Sequence, residues 1–409
     1  MTTLEILSLL FATAAIFGLI SSRWLRLPIS IGTMLLTVLV SACLILASQR
    51  FPGIRLWAAN LVVQIDFQSL VLHGMLPLLL FAGAFLLNLR QLARERLPVA
   101  WLSVMGTGIC FFLVALLMSL LNHGRIPWIE CLIFGALISP TDPIAVLEML
   151  RRVGIPKGIQ AQLAGESLFN DGIGAVLFLA MLEVARGSAP TPWHVSGLLF
   201  VKAGGAVLVG IVAAFVTSRL MGQIDAYQVD ILFTLALAFG GYSLAENLRL
   251  SAPLEAVVAG VSLRYFIRGT PHERVDQEEL TRFWSVIDEI QNSVLFVLLG
   301  LETMAIALDA TTLRAGFTAI VSVNVVRLAV VSVLLAFLRL FRPGLQSSAL
   351  LLTWGGLRGG LSIALALSLP TEFGRSWMLA ATYLVVVFSV VIQGGSMNWF
   401  MRRNHAQAA

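Results

Sequence analysis

Five ionisable side chains stand where the surrounding chain is apolar: Asp142, Glu166, Asp171, Arg327 and Arg358. A charge at the centre of a bilayer costs at least ~2.5–3.5 kcal/mol on insertion scales, so each needs a partner, a wet cavity or a function. Asp142 lies between two prolines in Ser139-Pro140-Thr141-Asp142-Pro143. The prolines withdraw two backbone donors and disfavour helix at the residues before them, so this stretch should be unwound between half-helices. A break of that kind is tolerated in a membrane only beside a cavity or a partner, and crossing broken helices are where ions bind in such proteins.

The next apolar run carries Gly165-Glu-Ser-Leu-Phe-Asn-Asp-Gly-Ile-Gly174. On a helix, Glu166 and Asn170 share one face, Ser167 and Asp171 an adjoining one, and the two acids point roughly 140° apart. One acid is therefore placed for an ion pair and the other for a site. Asp171 falls at mid-span, where a carboxyl can hold either a proton or a monovalent cation. Arg327, in Asn324-Val-Val-Arg327-Leu328, keeps its charge and needs a partner, for which Glu166 is the best placed. Arg358 interrupts Gly355-Gly-Leu-Arg-Gly-Gly360, within reach of backbone carbonyls or of Asp142. Gly172 and Gly174 permit close approach of another backbone, as ordinary membrane packing glycines also do.

The elements that must position these groups follow from composition. Of 409 residues, 58% are hydrophobic and 12% charged, against roughly 25% charged in soluble domains. Mean hydropathy is +0.91. Soluble enzymes, secreted scaffolds and nucleic-acid binders are excluded. Thirteen apolar runs are long enough to be membrane helices, near 4–20, 29–47, 68–88, 98–121, 128–150, 159–184, 195–219, 229–248, 253–267, 283–308, 313–341, 347–369 and 376–401. Helix is the open reading, because each spanning segment must satisfy its own backbone and no alternating pattern suggests a barrel. Glu5 in the first run argues for a retained helix rather than a signal peptide. Loops are short, so residues 1–409 read as one transmembrane domain without a soluble regulatory domain.

The basic residues test this partition. Of 27, seventeen fall on one side and eight on the other, leaving Arg327 and Arg358 in mid-span. The richer side should be cytoplasmic, which puts the N-terminus outside and the C-terminus inside a bacterial inner membrane. The pI near 9.6 reports the same basic loops. Cys43, Cys110 and Cys131 lack metal or disulfide spacing and read as buried small residues. Thirteen spans also allow two inverted six-helix units around one extra helix, and then the fifth and twelfth helices, which hold the two irregular sequences, correspond. The expected fold class is an all-α polytopic membrane protein with two broken crossing helices.

At these residues the sequence resembles the monovalent cation:proton antiporter-1 family, the NhaP and sodium/proton exchanger type. The carrying motifs are SPTDPIAV (139–146), GESLFNDG (165–172), Arg327 in NVVRL, and GGLRGGLSIALAL (355–367), supported by DEIQNSVLFVLLG (288–300). The resemblance implies an NhaA-like antiporter fold that exchanges Na⁺, Li⁺ or K⁺ for H⁺ and serves pH homeostasis. It implies Asp171 as the ion- and proton-binding carboxylate, Asn170 as its neighbour, and Thr141 and Ser167 as oxygen ligands of the monovalent cation. It also implies Glu166–Arg327 as a structural pair, with Asp142 and Arg358 stabilising the breaks. A core (helices about 68–184 and 283–401) would move against an interface unit (about 1–50 and 195–267) in a homodimer, with no cofactor beyond the transported ions.

Two positions depart from that family. The third helix carries Ala82 where an acid is usual, and the ninth carries Glu255 where a small residue is usual. Glu255 is expected either to compensate for the missing acid or to sit hydrated near the outer end. Competition between Na⁺ and H⁺ at Asp171, with Glu166 permanently matched, predicts electroneutral one-for-one exchange. A cation channel, or a potassium-selective proton antiporter of the same fold, is the nearest rival reading. An intramembrane hydrolase lacks a recognisable dyad among the five histidines and the serines, and a sensor lacks an output domain.

Overall fold

The computed structural model describes residues 3–25, 29–50, 69–142, 146–147, 157–187, 192–223, 226–267, 275–302, 310–343 and 347–397. Pro143, most of the second half of the fifth predicted run, and Arg26, Arg55, Arg151, Arg152, Arg268, His272, Arg274, Arg402 and Arg403 lie outside them. Among the described residues every one of the thirteen predicted runs contains helix and none forms a strand. Seven helical stretches are by themselves long and apolar enough to cross a membrane. The chain is a multi-pass all-α membrane protein.

In chain order the helices are α1 (Thr3–Ile20), α2 (Ile29–Arg50), α3 (Leu76–Phe85), α4 (Leu89–Arg94), α5 (Arg96–Ala100), α6 (Thr107–Leu121), α7 (Trp128–Ile138) and α8 (Lys157–Ala185). There follow α9 (Pro192–Met221), α10 (Tyr227–Asn247), α11 (Ala252–Phe266), α12 (Val275–Glu302), α13 (Ala310–Phe341), α14 (Ala349–Gly355), α15 (Gly360–Leu367) and α16 (Arg375–Phe388). Wider π-turns continue the run before α3 (Leu70–Met75), between α5 and α6 (Trp101–Gly106) and after α16 (Ser389–Gly394).

Two features were not expected. The short helix α4 occupies a predicted loop; it is capped by Asn88, whose side chain accepts from the Gln91 N–H at 3.3 Å. Helix α12 begins at Val275, not near 283: its first two turns are charged and so lie outside the apolar run.

Packing sorts the helices around the site. One apolar cluster joins α6, α7, α8 and α13 to the broken pair α14 and α15 and to α16, with Phe134, Phe178 and Leu352 fully buried. Another gathers α3, α9, α10 and α11 around Trp284 of α12. α8, 29 residues and so about 43 Å long, lies between them, against α7 on one side and against α9 and α11 on the other. Of the residues singled out in the sequence, Glu166, Ser167, Asn170 and Asp171 fall on this central helix, Thr141, Asp142 and Arg358 on the breaks beside it, and Arg327 on α13.

Candidate functional site

The break after α7 is real. Helix stops at Ile138, and Pro140 leaves the terminal carbonyls without helical donors. Arg358 replaces them: its Nη1 donates to the Ile138 carbonyl, to the Ser139 carbonyl at 2.5 Å and to the Pro140 carbonyl at 2.8 Å. Of the two contacts open to Arg358 in the sequence, carbonyl capping is thus the one seen. A guanidinium suits this position because it places positive charge at a helix C-terminus. The second break, Gly356–Gly359 between α14 and α15, meets the first through an isolated antiparallel bridge, in which the Asp142 N–H donates to the Leu357 carbonyl at 2.7 Å. Gly359 caps α15, and a Cβ there would collide with the Asp142 carboxylate. The carboxylate therefore sits at the positive end of α15.

α8 supplies the second wall. Gly174 packs so closely on Pro140 that a side chain would not fit, which brings the helix against the break. Thr141 is held from both ends of the Asn170 amide: its N–H donates to Asn170 Oδ1 at 3.1 Å, and its Oγ1 accepts from Asn170 Nδ2 at 2.7 Å. Thr141 Oγ1 also lies 2.9 Å from Ser167 Oγ. These three side chains are all buried. A cavity of about 230 Å³ opens beside them, lined by Thr141, Asp142, Ser167, Asp171, Gly359 and Ser362 among others. Four of the five predicted ion-binding residues thus meet at one cavity, while Asn170 stands behind Thr141 as its brace. Asp171 makes no hydrogen bond or ion pair among the described residues.

Glu166 points away, as the helical spacing requires. It is fully buried and its Oε1 lies 2.5 Å from Arg327 Nη1. Arg327 Nη2 also donates to the Leu352 carbonyl at 3.4 Å, tying α13 to α14.

The cavity extends along α3, α8 and α12 towards the predicted cytoplasmic end, past Leu86, Ala164, Ser285, Asp288 and Glu289. Those acids form a wall with Asn292. The signal was present: positions 285, 288, 289 and 292 follow helical spacing and make one polar face. A neutral chain was also missed. The Arg358 N–H donates to Ser389 Oγ at 3.0 Å, Ser389 Oγ to Gln393 Oε1 at 2.5 Å, and Gln393 Nε2 to Asn324 Oδ1 at 2.6 Å. It links the second break to α13, one turn from Arg327.

The two departures resolve differently. Ala82 is fully buried in the apolar cluster around Trp284, so its position is filled by packing. Glu255 is not hydrated near an end, as one expectation had it: it has no exposed surface, because its carboxyl is pressed against Gly241 where α10 and α11 meet. Nor does it line the cavity beside Asp171.

Two interrupted helices that meet beside a carboxylate-lined cavity, in a chain of membrane-crossing length, define a multi-pass transporter, not an enzyme. The chain belongs to the sodium/hydrogen exchanger family, whose transmembrane pattern matches residues 11–403. It is 37% identical to the Na(+)/H(+) antiporter NhaP of Pseudomonas aeruginosa, covering 98% of this chain and 97% of that protein. It is 31% identical to the Na(+)/H(+) antiporter NhaH of Halobacillus aidingensis, with 96% and 95% covered. Its fold is that of the sodium proton antiporter MjNhaP1 from Methanocaldococcus jannaschii, with a TM-score of 0.72 at 18% identity over 97% of this chain and all of that one.

Proposed function

We propose that this protein exchanges Na⁺ for H⁺ one for one, by competition at Asp171. The observation that carries this reading is the contrast on α8: Glu166 is matched by Arg327 at 2.5 Å, while Asp171 faces the cavity beside Thr141 and Ser167. A hard monovalent cation takes oxygen donors, here the Asp171 carboxylate, the Thr141 and Ser167 hydroxyls and carbonyls freed by the breaks. Asp142 adds negative potential from the end of α15. When the cation leaves, a proton replaces it on Asp171, and the other four mid-membrane charges stay fixed. Na⁺ is the cation in the names of the relatives; Li⁺ and K⁺ fit the same donors.

The charges at the other end favour alternating access over a channel. There Lys202 of α9 pairs with Glu183 of α8 at 2.9 Å and donates to the Arg249 carbonyl at 3.3 Å. His73, ahead of α3, meets Glu246 of α10 at 3.4 Å. In the domain assignment read from sequence, both contacts tie core to interface unit, closing the outside while the cavity opens inward. The molecule works in this reading as a homodimer in the inner membrane, N-terminus outside.

Exchange by the purified protein in proteoliposomes tests the stoichiometry. A sodium gradient should drive proton movement at a rate unchanged when the membrane potential is clamped at different values. Net charge movement, or a rate that follows the potential, would remove one-for-one exchange.

A further inference from the structure

A second, larger cavity lies away from the ion site. It encloses about 630 Å³ near the predicted cytoplasmic end, between α4, α5 and their π-turn on one side and α9 and α11 on the other. Phe169 and Ile173 of α8, two residues either side of Asp171, form its rear, and Ile211 and Val261 face them. Its mouth is at the protein surface, where Val104 is half exposed and Tyr265 more so. Among the described residues the lining contains no acid and a single charge, Arg96. Arg96 is exposed and makes no hydrogen bond or ion pair among the described residues. It shares the predicted cytoplasmic end with Arg90 and Arg94.

These observations specify an occupant. Water is disfavoured between walls that offer it almost no partners, and a cleft of this kind opening on the hydrocarbon admits an acyl chain. At the predicted cytoplasmic end Arg96 has no counter-charge among the described residues, and a guanidinium holds phosphate oxygens in a fork. Basic pockets between membrane helices on the cytoplasmic side bind anionic headgroups. We propose that this cavity is a binding site for an anionic phospholipid, with one acyl chain between α8 and α11 and its phosphate on Arg96. The site shares no lining residue with the ion cavity among the described residues, so lipid binding can be read apart from the exchange proposed above.

Native mass spectrometry of the purified full-length chain, titrated with phosphatidylglycerol or with phosphatidylcholine of identical chains, reads it directly. Phosphatidylglycerol should be retained in preference. Arg96→Gln should weaken its retention roughly fivefold, the effect of one arginine at a charged surface, and Arg96→Lys, which keeps the charge but not the fork, should recover part of it. Ala100→Trp, which fills the cleft, should remove binding with Arg96 intact. Equal retention of the two lipids, or a phosphatidylglycerol affinity untouched by Arg96→Gln, overturns the site. An unfolding temperature close to that of the unchanged protein confirms that the variants are folded.

Discussion

Glu166 and Asp171 lie five residues apart on one helix, both within the membrane and both in otherwise apolar sequence, yet their surroundings are opposite. Glu166 is closed off by a guanidinium at 2.5 Å; Asp171 opens on a cavity with two hydroxyls for neighbours. The separation of roughly 140° on the helix produces the difference, turning one acid towards α13 and the other towards the broken helices. A carboxylate with a fixed counter-charge carries no net charge through a cycle and is worth most as structure. A carboxylate without one is worth most as a site, because something must neutralise it and that something can be exchanged.

The contrast is broken most severely at the open acid. Asp171→Asn keeps shape and hydrogen-bonding capacity but removes the exchangeable charge. Exchange should fall to the background of empty vesicles, while the protein purifies normally and unfolds at nearly the wild-type temperature. Thermal stabilisation by added Na⁺ should disappear. Retained exchange in this variant would remove Asp171 from the mechanism.

At the closed acid the loss should instead be of stability. Glu166→Gln leaves Arg327 buried and unmatched, which costs ~3–5 kcal/mol. The fall in unfolding temperature should be largest for this variant and for Arg327→Gln taken singly. The double variant Glu166→Gln/Arg327→Gln should recover much of the loss, since two neutral amides leave no stranded charge. Additive losses across that cycle would mean that the two groups do not act as a pair.

Between these extremes lies Thr141, whose hydroxyl connects Asn170 to Ser167. Thr141→Val removes one oxygen from the cavity wall and leaves the Asn170 Nδ2 donor unpaired. The expected effect is a rise of about tenfold in the KM for Na⁺, the order of one buried hydrogen bond, with a smaller change in maximal rate. An unchanged KM would confine Thr141 to bracing the break.

How far these differences could be read in advance depends on charge. The five mid-membrane ions announced themselves because each is expensive in lipid, and the pairing of Glu166 with Arg327 followed because an arginine cannot neutralise itself. Ser389, Gln393 and Asn324 were silent, because single neutral polar residues in apolar helices are common and only the fold brings these three into line. Asp288 and Glu289 fall near the start of the run predicted at 283–308, where charges are normally solvated, and only the fold, with α12 beginning at Val275, shows that they line the cavity. Glu255 shows the reverse case: hydration near the outer end was one of its two expected placements, and Gly241 on a different helix encloses it instead. Spacing within one helix was legible, and contact between helices distant in sequence was legible only where a charge required it.

A third acid on α8 sharpens the comparison. Glu183 is matched like Glu166, but by Lys202 of α9, across the boundary at which the proposed core and interface unit would slide. It is also wetter than Glu166, with a side chain 30% exposed although Lys202 is only 10% exposed, so the pair contributes about 1 kcal/mol, the upper end for screened pairs. Lys202→Gln should therefore leave the unfolding temperature almost unchanged and shift instead the balance between inward- and outward-open forms, by at most about fivefold. The shift can be read by labelling Leu86→Cys at the inner mouth of the cavity, on a background without Cys43, Cys110 and Cys131. Labelling from the cytoplasmic side should slow in Lys202→Gln as the inward-open form loses its outer tie. Glu183→Gln should slow it equally, and the double variant no further, because a pair already broken has nothing left to lose. Unequal or additive effects would place Lys202 and Glu183 in separate roles, leaving the outer closure to apolar packing.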